Sequence, residues 1–111
     1  MEAAFLFAPE RQVGSTLAML TFEWDANKAG TNLAKHQVSF QEATTVFGDA
    51  DSLTIPDPVH SEAENRFIIL GRSHRGRILV VVHTERGDNI RIISARPASR
   101  RERKNYEQTN R

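Results

Sequence analysis

The chain has 111 residues, no cysteine and a formal net charge of +1. That length suits one domain with a modest core, and the missing thiols exclude disulfide staples and thiolate metal centres and fit a reducing cytoplasm. No apolar run nears the roughly 20 residues a membrane-spanning helix needs, and the small overall charge argues against indiscriminate coating of polyanions.

The charge is not evenly spread. Residues 1–65 carry three Lys/Arg against ten Asp/Glu, a net −7, while residues 66–111 carry twelve against four, a net +8. Such a split points to a polyanionic partner for the C-terminal half and a basic partner for the acidic half. The first nineteen residues, "MEAAFLFAPERQVGSTLAM", show no helical or strand period. Glu2 stands where a signal peptide would be basic, and the apolar patch Ala3–Ala8 is short. Residues 1–19 are therefore expected to be a poorly ordered extension, with Met19 a plausible natural start and 20–111 a single domain.

In chain order, "LTFEWD" (20–25) alternates apolar and polar residues and predicts a strand. Asp25 can cap a helix over 26–37, which is polar but contains Leu33 and Ala34. Ser39 and Glu42 form a capping box that opens a second helix over 39–48, with Phe40, Ala43, Val46 and Phe47 on one face. A strand at 52–55 runs into Pro56 and Pro58, which confine it to a sheet edge. Three strands follow at 66–73, 77–86 and 89–96, joined by short hairpin signals at "HRG" and "GD". Ser99 and Glu102 form a second capping box for a helix reaching about Gln108. The expected order is β-α-α-β-β-β-β-α, an α+β domain with a mainly antiparallel sheet and helices packed on it.

The turns predict which residues meet. A two-residue "GD" turn pairs Arg86 with Asn89, so Thr84 faces Arg91 and His83 faces Ile92. A tight turn at His74–Arg75 pairs Arg72 with Arg77 and sets Arg66 opposite His83. One sheet face then carries Arg66, His83, Glu85, Ser94 and Arg96, and the other carries Thr84, Arg86, Asn89 and Arg91. These residues suit a reaction that needs no metal, the attack of an RNA 2′-hydroxyl on the adjacent phosphate. Arg66, Arg91 and Arg96 would stabilise the charged phosphorane, and His83 or Glu85 would move protons. The same residues have plainer readings. His83 can be a satisfied strand histidine, Glu85 and Arg86 solvated hairpin charges, and Arg96 an ion-pair partner for Glu64 or Asp25.

Five arginines and one lysine lie between residues 91 and 104, and the last helix, with Arg100 and Arg101, is either a phosphate-contacting or a solvated face. Lys35 and His36 end the first helix, where they meet its dipole favourably. No metal motif or glycine-rich phosphate loop is present, so neither a metal nor a cofactor is expected.

The pieces "WDANK", "NLAKHQVSF", "ENR", "HTERG" and "RIISARPASRRERKNY" occur in an order that resembles the BrnT toxin family, over about residues 21–107. The resemblance implies a RelE-like fold and a cytoplasmic type II toxin that cleaves RNA without metal or cofactor and inhibits translation. It implies a BrnA-like antitoxin partner with a ribbon-helix-helix DNA-binding part, and contact with operator DNA through that antitoxin. Carried over by motif, Arg66, His83, Arg91 and Arg96 are the expected catalytic residues. Lys35, Glu64, Glu85, Arg86, Arg100 and Arg101 are the expected RNA-binding or supporting ones. The alternative is a non-catalytic binding module that acts as a corepressor with its DNA-binding partner.

Overall fold

The computed structural model describes residues 20–58 and 65–109. Its elements are β1 (Thr21–Glu23), α1 (Ala26–His36), α2 (Phe40–Thr44), a 3-10 turn (Thr45–Gly48), β2 (Leu53–Pro56), β3 (Arg66–Arg72), β4 (Ile78–Arg86), β5 (Asn89–Pro97) and α3 (Arg100–Thr109). The five strands form one sheet in the order β1-β5-β4-β3-β2. The expected element order is present, but the sheet is mixed rather than a mainly antiparallel meander. β2, β3, β4 and β5 pair antiparallel, and β1 lies parallel to β5. The cause is topological: β1 enters at the sheet edge after two helices' worth of chain separates it from the meander, so it is not bound by a hairpin to run opposite its neighbour. Pro56 sits on the edge strand β2, where its missing N–H costs no ladder bond.

Local chemistry explains the helix starts. Asp25 accepts from the Lys28 N–H at 2.9 Å, and Ser39 accepts from the Glu42 N–H at 3.0 Å. For α3 the capping box is complete, because Glu102 also accepts from the Ser99 N–H at 2.8 Å while its own N–H donates to Ser99 Oγ at 3.1 Å. For α2 it is half a box. The Glu42 carboxylate turns inward instead and accepts from Ser73 Oγ at 2.7 Å and Arg77 Nε at 3.0 Å. Burial opposes its ionisation, but the hydrogen bonds from Arg77 and Ser73 outweigh that and leave its pKa lowered.

The main core lies between the sheet and α1/α2. It contains Phe22, Trp24, Val38, Phe40, Ala43, Val46, Ile69, Leu79, Val81, Ile92 and Ala95. α1 docks differently from the sequence expectation. Leu33 is exposed, and the inward residue is Asn32. The reason lies in β5: β1 pairs only with Asn89–Arg91, so β5 beyond that point has no strand neighbour on that side. The Asn32 side chain acts as one. Its amide nitrogen donates to the Ala95 C=O at 2.8 Å, its oxygen accepts from the Ala95 N–H at 3.1 Å, and the nitrogen also donates to the Val38 C=O at 2.9 Å. On the other face, α3 covers a smaller cluster of Ile78, Val80, Ala98 and Tyr106, with Ile68 and Leu70 against it.

Candidate RNA-cleavage face

Strand register decides which side chains share a face. The β4–β5 turn follows expectation, with Arg86 opposite Asn89, Thr84 opposite Arg91 and His83 opposite Ile92. Gly87 has φ +63 at the first turn position, a conformation that costs glycine little. The β3–β4 turn differs by one residue. The Ser73 N–H donates to the Arg77 C=O at 2.8 Å across three loop residues, and Gly76 adopts φ +84. Arg72 therefore pairs with Ile78, and Arg66 pairs with Thr84 rather than His83. A one-residue register change exchanges the two faces of a strand.

A second departure lies in β5. Val82 pairs with Ser94 while His83 pairs with Ile92, so Ile93 is an extra residue in a β-bulge. Strict alternation would place Arg91 and Arg96 on opposite faces. The bulge shifts the count by one and puts both on the same face, the one away from α1 and α2.

The result is a row across four strands: Arg66 on β3, Thr84 on β4, Arg91 on β5 and Glu23 on β1. Neighbouring strands are about 4.8 Å apart, so Arg66 and Arg91 flank Thr84 with Cα atoms roughly 10 Å from each other. Thr84 is 1% exposed, and its hydroxyl oxygen makes no hydrogen bond among the described residues. Glu23 accepts from Arg91 Nη1 at 3.2 Å, Asn89 Nδ2 at 3.2 Å and Arg86 Nη1 at 3.5 Å. Glu23 and Thr84 were absent from the sequence-based site. Their signal was the strand pairing itself, since Glu23 reaches the row only through the parallel contact of β1 with β5.

The other expected residues are placed as follows. Arg96 lies on the arginine face beyond Ser94, but its guanidinium is held in a two-pronged pair with Glu102, both contacts 2.9 Å. The hydrogen bonds from Arg96 push the Glu102 pKa down to about 2. Arg96 is thus a clamp for α3 in this structure, and its ion-pair partner is Glu102 where the sequence pointed to Glu64 or Asp25. Arg86 sits at the end of the row against Glu23. Arg100 and Arg101 are exposed on the first turn of α3. Lys35 lies apart, on α1. Glu64 lies outside the described residues, as do residues 1–19.

His83 is separated from the arginines. It is on the α1/α2 side of the sheet, 3% exposed, with ring centroids 4.9 Å from Phe47 and 5.7 Å from Phe67. Burial pushes its pKa down to about 4, with the Val81 backbone offsetting part of the effect. The expected contact between Arg66 and His83 is corrected, because the β3–β4 loop holds one residue more than a tight turn. Glu85 follows two residues later on that same side, exposed near the hairpin tip. Among the described residues, no group of three His, Asp or Glu side chains could hold a metal ion.

A family model described as the ribonuclease toxin, BrnT, of type II toxin-antitoxin systems matches residues 24–102. The chain belongs to the BrnT family. Among solved structures, it is similar to the Brucella abortus ribonuclease toxin, BrnT, determined at 1.1 Å resolution. The two are 24% identical with a TM-score of 0.57, over 71% of this chain and 96% of that one. That likeness speaks to the α+β fold. No curated protein matches the chain. The BrnT match begins at Trp24 and ends at Glu102, so it spans from the residue after Glu23 to the residue that holds Arg96.

Proposed function

We propose that this BrnT-family chain is an endoribonuclease that cleaves RNA on the arginine face by the 2′-hydroxyl route, without a metal. The observation that carries the reading is the row Arg66–Thr84–Arg91–Glu23 on the sheet face that α3 only partly covers. In this reading Arg66 and Arg91 grip the scissile phosphate, since a guanidinium matches phosphate oxygens in pairs. Phosphate binding draws Arg91 from Glu23 and frees a carboxylate oxygen for the 2′-hydroxyl proton. The 2′-oxygen attacks phosphorus, the bond to the 5′-oxygen breaks, and solvent protonates the leaving oxygen. A 2′,3′-cyclic phosphate remains. The arginines stabilise the charge that develops on phosphorus. His83 supports the sheet from its other side.

The chain then acts as a RelE-like toxin of the cytoplasm. A BrnA-like ribbon-helix-helix antitoxin would neutralise it and carry it to operator DNA. The test is induced expression with and without the neighbouring antitoxin gene, followed by RNA end analysis and cleavage by purified protein in chelator. Arrest with 2′,3′-cyclic ends and chelator-resistant cleavage is expected. Arg66→Ala and Arg91→Ala should each lower the cleavage rate by about 100-fold or more, the usual cost of one lost transition-state donor. A well-folded wild-type protein that leaves RNA intact would overturn this reading and favour the corepressor module.

A further inference from the structure

We propose that the groove between α1 and the uncovered edge of β5 is a second RNA subsite, which holds the backbone phosphates next to the scissile one. The inference rests on the RNA-cleavage reading above and adds where the rest of the strand runs. Because Asn32 meets the β5 edge through its side chain, α1 stands off from the strand and leaves a groove of about 310 Å³. Its walls are Asn27, Lys28, Thr31, Lys35 and His36 on the helix and Ile93 and Ser94 on β5.

Three features point to a phosphodiester backbone. The first is continuity. Ser94 lines the groove and also stands on the arginine face, opposite Val82 and between Arg91 and Arg96 along β5. The bulge at Ile93 makes this possible, so a strand gripped at Arg91 passes Ser94 into the groove. The second is spacing. Lys28 and Lys35 are seven residues apart, about 10 Å along the helix, with Thr31 between them. Two cations at that separation, with hydroxyl and amide donors between, suit successive charges on a chain better than one small anion. The third is charge placement. Residues 1–65 have only three Lys/Arg, and two of them line this groove. Among the described residues neither lysine pairs with a carboxylate, whereas Arg77, Arg86, Arg91 and Arg96 all do.

The test compares two RNA substrates of the full chain: a dinucleotide that reaches only the arginine face, and a single strand of about 8 nucleotides, within the site sizes such grooves take. Binding is measured with a 2′-deoxy residue at the cleavage point. In the double variant Lys28→Gln/Lys35→Gln, affinity for the longer strand should fall about tenfold, and the slope of log affinity against log salt should shrink by about 1.4, or 0.7 per phosphate contact. The ratio of kcat/KM for the long over the short substrate should fall by a similar factor, and Lys28→Arg/Lys35→Arg should restore it. Unchanged affinity and slope for the long strand would overturn the subsite. So would an equal loss on both substrates, which would move the lysines into the scissile site or the fold. If wild-type protein cuts neither substrate, the cleavage reading fails first and the subsite with it.

Discussion

At the scale of the residue, His83 and the arginines show how chemistry and position can part. A histidine in a motif with arginines invites a proton-transfer role, and the sequence placed it beside Arg66. The structure packs it between Phe47, edge to face, and Phe67, stacked, on the opposite side of the sheet. His83→Phe should therefore retain RNA cleavage, as measured on a fluorogenic oligonucleotide. It should also change the acid response. The folded pKa is about 4 against an ordinary 6.5, so the unfolded chain takes up a proton first as pH falls. The stability linked to neutral His83 is complete above pH 6.5 and is lost as pH drops towards 4, by up to about 3 kcal/mol. Urea midpoints measured across that window should fall in the wild type and stay flatter in the variant.

At the scale of the element, much of the fold was legible because local signals agreed with one another. Ser99 and Glu102 predicted the start of α3, and both capping bonds are present. The "GD" turn fixed the β4–β5 register up to His83. What escaped was parity. The loop at 74–76 carries one more residue than a tight turn, and Ile93 is inserted in mid-strand. Neither event changes hydrophobicity, so alternation cannot report it. Asn32 escaped for a related reason: a polar residue faces the core only because β1 ends early, and nothing in α1 itself records the length of β1. For α3, the Arg96–Glu102 pair and the hydrogen bond from the Tyr106 hydroxyl to Asp49 at 2.6 Å hold the helix on the sheet. Glu102→Ala removes the clamp and the carboxylate half of the capping box, while the backbone N–H at 102 still donates to Ser99 Oγ. It should destabilise the protein by about 1 kcal/mol in chemical denaturation, mainly through the lost bond to the Ser99 N–H, since Arg96 is substantially exposed.

At the scale of the whole molecule, the acidic and basic halves of the sequence are not two separate surfaces. Glu23, from the acidic half, is built into the arginine row, and Lys28 and Lys35 extend the cationic path from the other direction. With Arg66, Arg91, Lys28 and Lys35 in the proposed roles, about four phosphates are contacted, and RNA affinity should fall with salt at a slope of about −3. Single-stranded DNA of the same sequence should bind with a similar slope and stay uncut, because it lacks the attacking hydroxyl. Titrations at several salt concentrations with both strands would check this, and cleavage of the DNA would exclude the 2′-hydroxyl route.

The bulge at Ile93 gives β5 an odd-even arithmetic of its own. Residues before it and after it are counted from different origins, and the pair Arg91 and Arg96 shares a side only because the extra residue stands outside the alternation. Deleting Ile93 would restore plain alternation and keep both arginines on one side, whereas drawing Ile93 back into a regular strand would turn Arg96 towards the core and Ala95 outwards. The arginine face is thus set by how β5 pairs with β4, which composition and hydropathy do not record.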